Sequence, residues 1–196
     1  MKRLSEWKLH GDEIRQLKRL VHSGCNCIEL LGYTVDLDSG DVYDRLKKRQ
    51  IAHERDAENL HALLAHYATA EPTERTGKLV KFRDLPGGYA YEKAFIQRAI
   101  QPVAAIFGDK PEALTEAAKL LNGVALTYGD ASVEISILEI PIVYILWRTG
   151  EFPASVTALF DESASHYLPT EDLAVLAELT TIRLEQSWIT LRKRKA

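Results

Sequence analysis

Residues 3–22 carry Leu4, Trp7, Ile14, Leu17 and Val21 at roughly helical spacing, with Gly24 just beyond as a stop. This predicts an N-terminal amphipathic helix over 1–24. From 28 to 37 the period changes to two: Tyr33, Val35 and Leu37 alternate, Asp38-Ser39-Gly40 follows, and Val42 resumes the pattern. A glycine free to take positive φ between two such runs predicts a β-hairpin. Helical spacing returns over 51–68, where Leu60, Leu63, Leu64 and Tyr67 share one face, and stops near Glu71-Pro72.

A short strand over 78–82 then runs into Leu85-Pro86-Gly87-Gly88. Here proline removes a backbone donor and two glycines admit conformations closed to other residues. Ile96, Ile100, Val103 and Phe107 form one helical stripe within 90–107, which Pro102 should kink or interrupt. Asp109-Lys110-Pro111-Glu112 starts a further helix and Gly123 follows its end. Next, Val133, Ile135 and Ile137 alternate, 140–147 is nearly all apolar and 156–160 reads as another strand. Pro169-Thr170-Glu171-Asp172 supplies an N-cap and two acids for a last helix over about 171–191. The expected fold is therefore α+β: a mixed, mostly antiparallel sheet with helices packed on one face. One domain should span 25–191, after the helix at 1–24 and before a basic tail at 192–196.

Composition narrows the function classes. With 46% hydrophobic and 27% charged residues the chain has enough apolar surface to fold without staples. A net charge of −3 argues against a nucleic-acid partner. The basic runs Lys47-Lys48-Arg49 and 192–195 read as solvated surface and tail. No apolar run is long enough to span a bilayer and the charged start lacks a signal-peptide core, so a cytoplasmic protein without a membrane partner is expected. Cys25 and Cys27 are one residue apart, a spacing at which a mutual disulfide would be strained, and unbridged thiols fit a reducing compartment.

Candidate chemistry is sparse. Cys25-Asn26-Cys27, even with His22, falls short of the four ligands of a structural zinc or iron–sulfur site, so no metal site is expected. His53, His61 and His66 are not spaced by three or four residues, which removes the zinc-hydrolase pattern. His66 beside Tyr67 could face a pocket or sit hydrogen-bonded at the edge of the core. Arg83-Asp84-Leu85-Pro86-Gly87-Gly88-Tyr89 could present backbone N–H groups to an anion at a helix start, or be a tight structural turn. It lacks the lysine and hydroxyl of a phosphate loop. His166, with Asp161 and Glu171 as carboxylates in reach, could form an acid/base pair; the alternative assigns Asp161 to a turn and Glu171 and Asp172 to the helix dipole.

Several of these segments also resemble a known family. Phe82-Arg83-Asp84-Leu85-Pro86-Gly87-Gly88, Leu146-Trp147 with Glu151-Phe152-Pro153, Leu159-Phe160-Asp161, and the run from His166-Tyr167-Leu168-Pro169-Thr170 to Leu176 look like the prokaryotic domain of unknown function 3786. The likeness covers roughly 28–185 and departs from the family in the short Arg148-Thr149-Gly150 turn. It implies no settled activity. It does imply a setting in anaerobic bacteria and archaea, beside iron–sulfur segments in some members, and makes a tetrapyrrole such as a corrinoid a conceivable cofactor. The resulting expectation is a soluble small-ligand or cofactor-binding accessory module of anaerobic metabolism, of unspecified cofactor. Its expected ligand-binding set is Arg83, Gly87, Gly88, Tyr89, His66 and Trp147. The alternatives are an enzyme using His166, or an interaction domain, with a homodimer formed through the terminal helices.

Overall fold

The computed structural model describes residues 16–17, 19–21, 26–51 and 55–195. The expectations for Leu4, Trp7, Ile14, His22, Gly24, Cys25 and His53 lie outside that set. The class is α+β as expected, but the strands divide between two sheets, and every pairing in both is antiparallel.

The first sheet is a meander of β1 (Cys27–Leu30), β2 (Tyr33–Asp36), β3 (Val42–Asp44) and β4 (Arg49–Gln50). The apolar run at 28–37 is two strands, because Leu31 and Gly32 both take positive φ (51° and 74°) between the paired residues Leu30 and Tyr33. Two positive φ values make a turn whose twist matches that of the flanking strands. The Asp38-Ser39-Gly40 turn forms where expected: Gly40 has φ 78°, and Asp36 Oδ1 accepts the N–H groups of Asp38 and Ser39. Those bonds lower the Asp36 pKa, the Ser39 amide having the largest effect. Cys27 is disulfide-bonded, which corrects the expectation of unbridged cysteines and removes their support for a reducing compartment. A bridged sulfur also has no thiolate to offer a metal.

Helix α1 (Arg55–Ala68) buries Leu60, Leu63, Leu64 and Tyr67 as its spacing predicts. It also buries His61, whose Nε2 meets the Gly40 carbonyl at 2.7 Å and ties the helix to the meander. Burial lowers the His61 pKa, so the ring packs as a neutral donor.

The second sheet has the order β5-β9-β8-β7-β6, built from β5 (Leu79–Lys81), β6 (Val124–Leu126), β7 (Ala131–Ile137), β8 (Ile140–Trp147) and β9 (Ser155–Asp161). Its central strand β8 is buried along its length except at Trp147. Ile142, Tyr144 and Leu146 enter the same core as Tyr33 and Val35 of the meander, so one hydrophobic core serves both sheets.

Between β5 and β6 lie a 3-10 turn (Phe82–Asp84), α2 (Gly88–Phe95), a π-helical turn (Ile96–Ile100), α3 (Gln101–Phe107) and α4 (Pro111–Lys119). The ladder absorbs Pro102 by widening one turn ahead of it, and the N–H of Gln101 reaches back five residues to Ile96. The Thr181 hydroxyl donates to the Ala99 carbonyl inside that turn at 2.7 Å.

After the short α5 (Ala164–Tyr167), α6 (Thr170–Lys195) closes the chain and continues through the region expected to be a frayed tail. Its middle is buried nearly all round from Leu176 to Leu184, including Thr180, Thr181 and Arg183. Arg183 is fully buried and forms a two-pronged pair with the fully buried Asp44. It also donates to the carbonyls of Leu31 and Gly32, and its guanidinium lies 3.9 Å from the Tyr33 ring centroid. One arginine thus fastens the last helix to the β1–β2 turn. Among the described residues no helix is long and apolar enough to cross a membrane.

Candidate functional site

The Leu85-Pro86-Gly87-Gly88 turn is tight because its backbone folds onto itself. Leu85 N–H donates to Phe82 O, and Gly88 N–H to Leu85 O. A Cβ on Gly88 would lie 2.0 Å from the Phe82 carbonyl oxygen, whereas Gly87, at φ 75°, faces open space. The Thr170 hydroxyl donates to the Pro86 carbonyl at 2.6 Å, so this turn and the Leu168-Pro169-Thr170 segment meet directly. The Gly88 amide is engaged within the turn, which weakens the anion-cradle reading.

Arg83 leaves the 3-10 turn toward α2, its guanidinium 5.4 Å from the Tyr89 ring centroid and 3.4 Å from Glu92 Oε1. Beside it lies a cleft of about 150 Å³, lined by Lys81, Phe82, Arg83, Glu92, Phe95, Ile96, Ile100 and the β9 residues Val156, Thr157 and Ala158. Phe82 and Phe95 stack with centroids 4.1 Å apart, and both tilt against Phe160 to form its apolar floor. Register explains why the cleft exists. β5 pairs only with Leu159, Phe160 and Asp161, and Phe82 then turns away, so Ser155 to Ala158 has no strand on that side. Lys81 and Arg83 outnumber Glu92, and Lys81 has no ion pair among the described residues.

Of the residues expected to bind ligand, Arg83 lines this cleft, and Tyr89, exposed beneath the Arg83 guanidinium, does not. Gly87, Gly88, His66 and Trp147 do not line it. His66 Nδ1 is hydrogen-bonded to Asp172, joining the end of α1 to the start of α6. Trp147 stands half-exposed at the end of β8, opposite Ser155.

The catalytic candidates do not converge. His166 is exposed on α5 and has no hydrogen-bond partner for its ring among the described residues. Glu171 lies in a separate depression with Tyr91, Arg98 and Glu178. Asp161 is buried and holds a loop: it accepts the Thr76 N–H and hydroxyl, the Gly77 N–H and the Ser163 N–H. No group of three or more His, Cys, Asp or Glu among the described residues is placed to hold a metal ion.

A family model described as a domain of unknown function (DUF3786) matches residues 19–183. The chain belongs to that family. No curated protein and no solved structure matches it. The DUF3786 match spans the meander, the cleft and the Arg183 pair, and takes in the core except for Leu17 and the part of α6 from Leu184 on. Within it, Gly88, Asp161 and Thr170 have structural roles, whereas Arg83 lines the cleft.

Sequence reasoning missed the apolar half of the cleft. Ile96 and Ile100 read as part of one helical stripe and Phe95 is not singled out; the available signal was Pro102, whose disturbance of the helix puts a π-turn in the wall. π-turns are frequent at functional sites.

The role of Asp161 can be tested through pH. Burial pushes its pKa up, but hydrogen bonds from Ser163 and Thr76 outweigh burial and hold it at about 2, below the ordinary 3.8. A lowered folded pKa stabilises above the unfolded value, and the stabilisation disappears as pH falls from about 4 through about 2. Asp161→Asn should therefore cost about 2 kcal/mol in urea melts at pH 7, with the gap from wild type closing between pH 4 and pH 2. A gap that stays constant with pH would refute the assignment.

Proposed function

We propose that this protein is a binding module whose site is the Arg83 cleft, and that it takes a small ligand carrying a carboxylate on a short apolar body. The carrying observation is the pairing of an apolar floor, Phe82 with Phe95, and two cations, Lys81 and Arg83, in a cleft at an unpaired strand edge. Ligand sites join mostly apolar walls to a few convergent polar groups in this way. Glu92 opposes one of the cations, so charge selects for a monoanion. The volume of about 150 Å³ suits a short-chain acid and is too small to enclose a tetrapyrrole, which turns the reading away from a corrinoid. An accessory role in anaerobic metabolism, as a carrier or sensor of such acids, is part of this proposal and rests on the family resemblance alone.

Isothermal titration with isobutyrate, isovalerate and phenylacetate tests the reading. Arg83→Gln should weaken binding about tenfold or more, because it removes a charge-assisted hydrogen bond, and Glu92→Gln should strengthen it. An unchanged affinity in Arg83→Gln, or no heat with any of the three acids, would sink it.

A further inference from the structure

The ligand class can be taken further, on the reading that the Arg83 cleft is the binding site. We infer that the cleft receives the C-terminal end of an extended peptide, which adds as a short strand along the open half of β9.

The ladder determines which backbone groups face the cleft. Glu162 N–H donates to Lys78 O, so the residues of β9 whose amides and carbonyls face the β5 side are Glu162, Phe160 and, at a period of two, Ala158 and Val156. The other side of β8 agrees, since Asp130 N–H donates to Leu146 O and leaves Ile145 and Trp147 to bond β9. β5 ends at Lys81, opposite Leu159. The N–H and C=O of Val156 therefore project beyond the last rung, into the space bounded across the cleft by Ile96 and Ile100. A strand edge that continues past its neighbour is a template for another strand.

Polarity follows from charge. β9 runs toward the point where β5 stops, and Lys81 and Arg83 stand at that point. A peptide lying parallel to β9 brings its terminal carboxylate there. One lying antiparallel would bring its ammonium group to two cations. The four residues from Ser155 to Ala158 limit the docked segment to a few residues, and the cleft holds one apolar side chain against Phe82 and Phe95.

The test uses the whole chain and a random tetrapeptide library with free C-termini. The tightest selected sequence is then remade as the C-terminal amide and with a single N-methyl group on the backbone amide that donates to the Val156 carbonyl. Selected peptides should share one apolar residue near the end. Amidation and N-methylation should each weaken binding about tenfold, as should Arg83→Gln, with Tm unchanged in that variant. Val156→Pro removes the amide facing the cleft but leaves the β8 rungs of Ser155 and Thr157, and should abolish peptide binding. Selection of peptides whose amides bind as tightly as their acids would overturn the chain-end assignment. Indifference to N-methylation would overturn strand addition. Binding of isovalerate with no peptide selected would overturn this inference alone and leave the proposed function standing; binding of neither would remove both.

Discussion

Replacing Arg183 by leucine should lower folding stability by about 3–5 kcal/mol, the range for removing one partner of a buried ion pair. Both side chains of the Arg183–Asp44 pair are fully buried, with contacts of 2.8 and 2.9 Å. Among the described residues, losing the guanidinium leaves the Asp44 carboxylate with the Leu46 and Lys47 amides and a Lys47 ammonium 3.8 Å away. It also releases the carbonyls of Leu31 and Gly32, and with them a turn in which a leucine holds φ 51°. Urea melts of Arg183→Leu, Asp44→Asn and the double variant form the decisive cycle. The double variant should be no worse than the sum of the singles, and better by a coupling of at least about 1 kcal/mol. A loss below about 1 kcal/mol in Arg183→Leu would contradict the buried pair.

Gly88→Ala should be the most damaging change in the Pro-Gly-Gly turn, at about 2–4 kcal/mol, because its Cβ would come within 2.0 Å of a backbone oxygen. That oxygen belongs to Phe82 and also accepts from Leu85 N–H, so relief requires opening the turn itself. Gly87→Ala should cost only about 1–2 kcal/mol, the penalty of positive φ alone, since the space around it is empty. Thermal or urea melts that rank Gly87→Ala as the worse variant would show that the turn is folded differently. Because Phe82 forms both this turn and the cleft floor, Gly88→Ala should also loosen ligand binding, whereas Gly87→Ala should not.

Elements with a strong local period are legible in the amino-acid sequence. The alternation of Val133, Ile135 and Ile137 and the apolar run of β8 form the middle of the larger sheet, and Leu60, Leu63, Leu64 and Tyr67 form the buried face of α1. Gly40 in the hairpin turn follows from its neighbours for the same reason. The split at Leu31 is harder to see, because a leucine at positive φ carries no local signal and is held by Arg183, 152 residues away. Arg183 itself looks like a solvent-facing charge on an amphipathic helix, and α6 has no solvent-facing side over its middle. The candidate site is half legible. Arg83 stands in a conspicuous motif, but the open edge of β9 depends on where β5 stops, and that register depends on tertiary pairing. His166 draws notice only through its acidic neighbours, which are committed elsewhere: Asp161 to Thr76 and Gly77, and Asp172 to His66.

Shift mapping of the amides by 1H–15N NMR during a titration with isovalerate tests the central claim most directly. The account predicts saturable changes concentrated at Phe82, Arg83, Ile96, Val156 and Ala158, lost in Arg83→Gln. Changes centred elsewhere, for instance on the exposed Tyr128 and Phe152, or no saturable change at all, would contradict the Arg83 cleft as the ligand site.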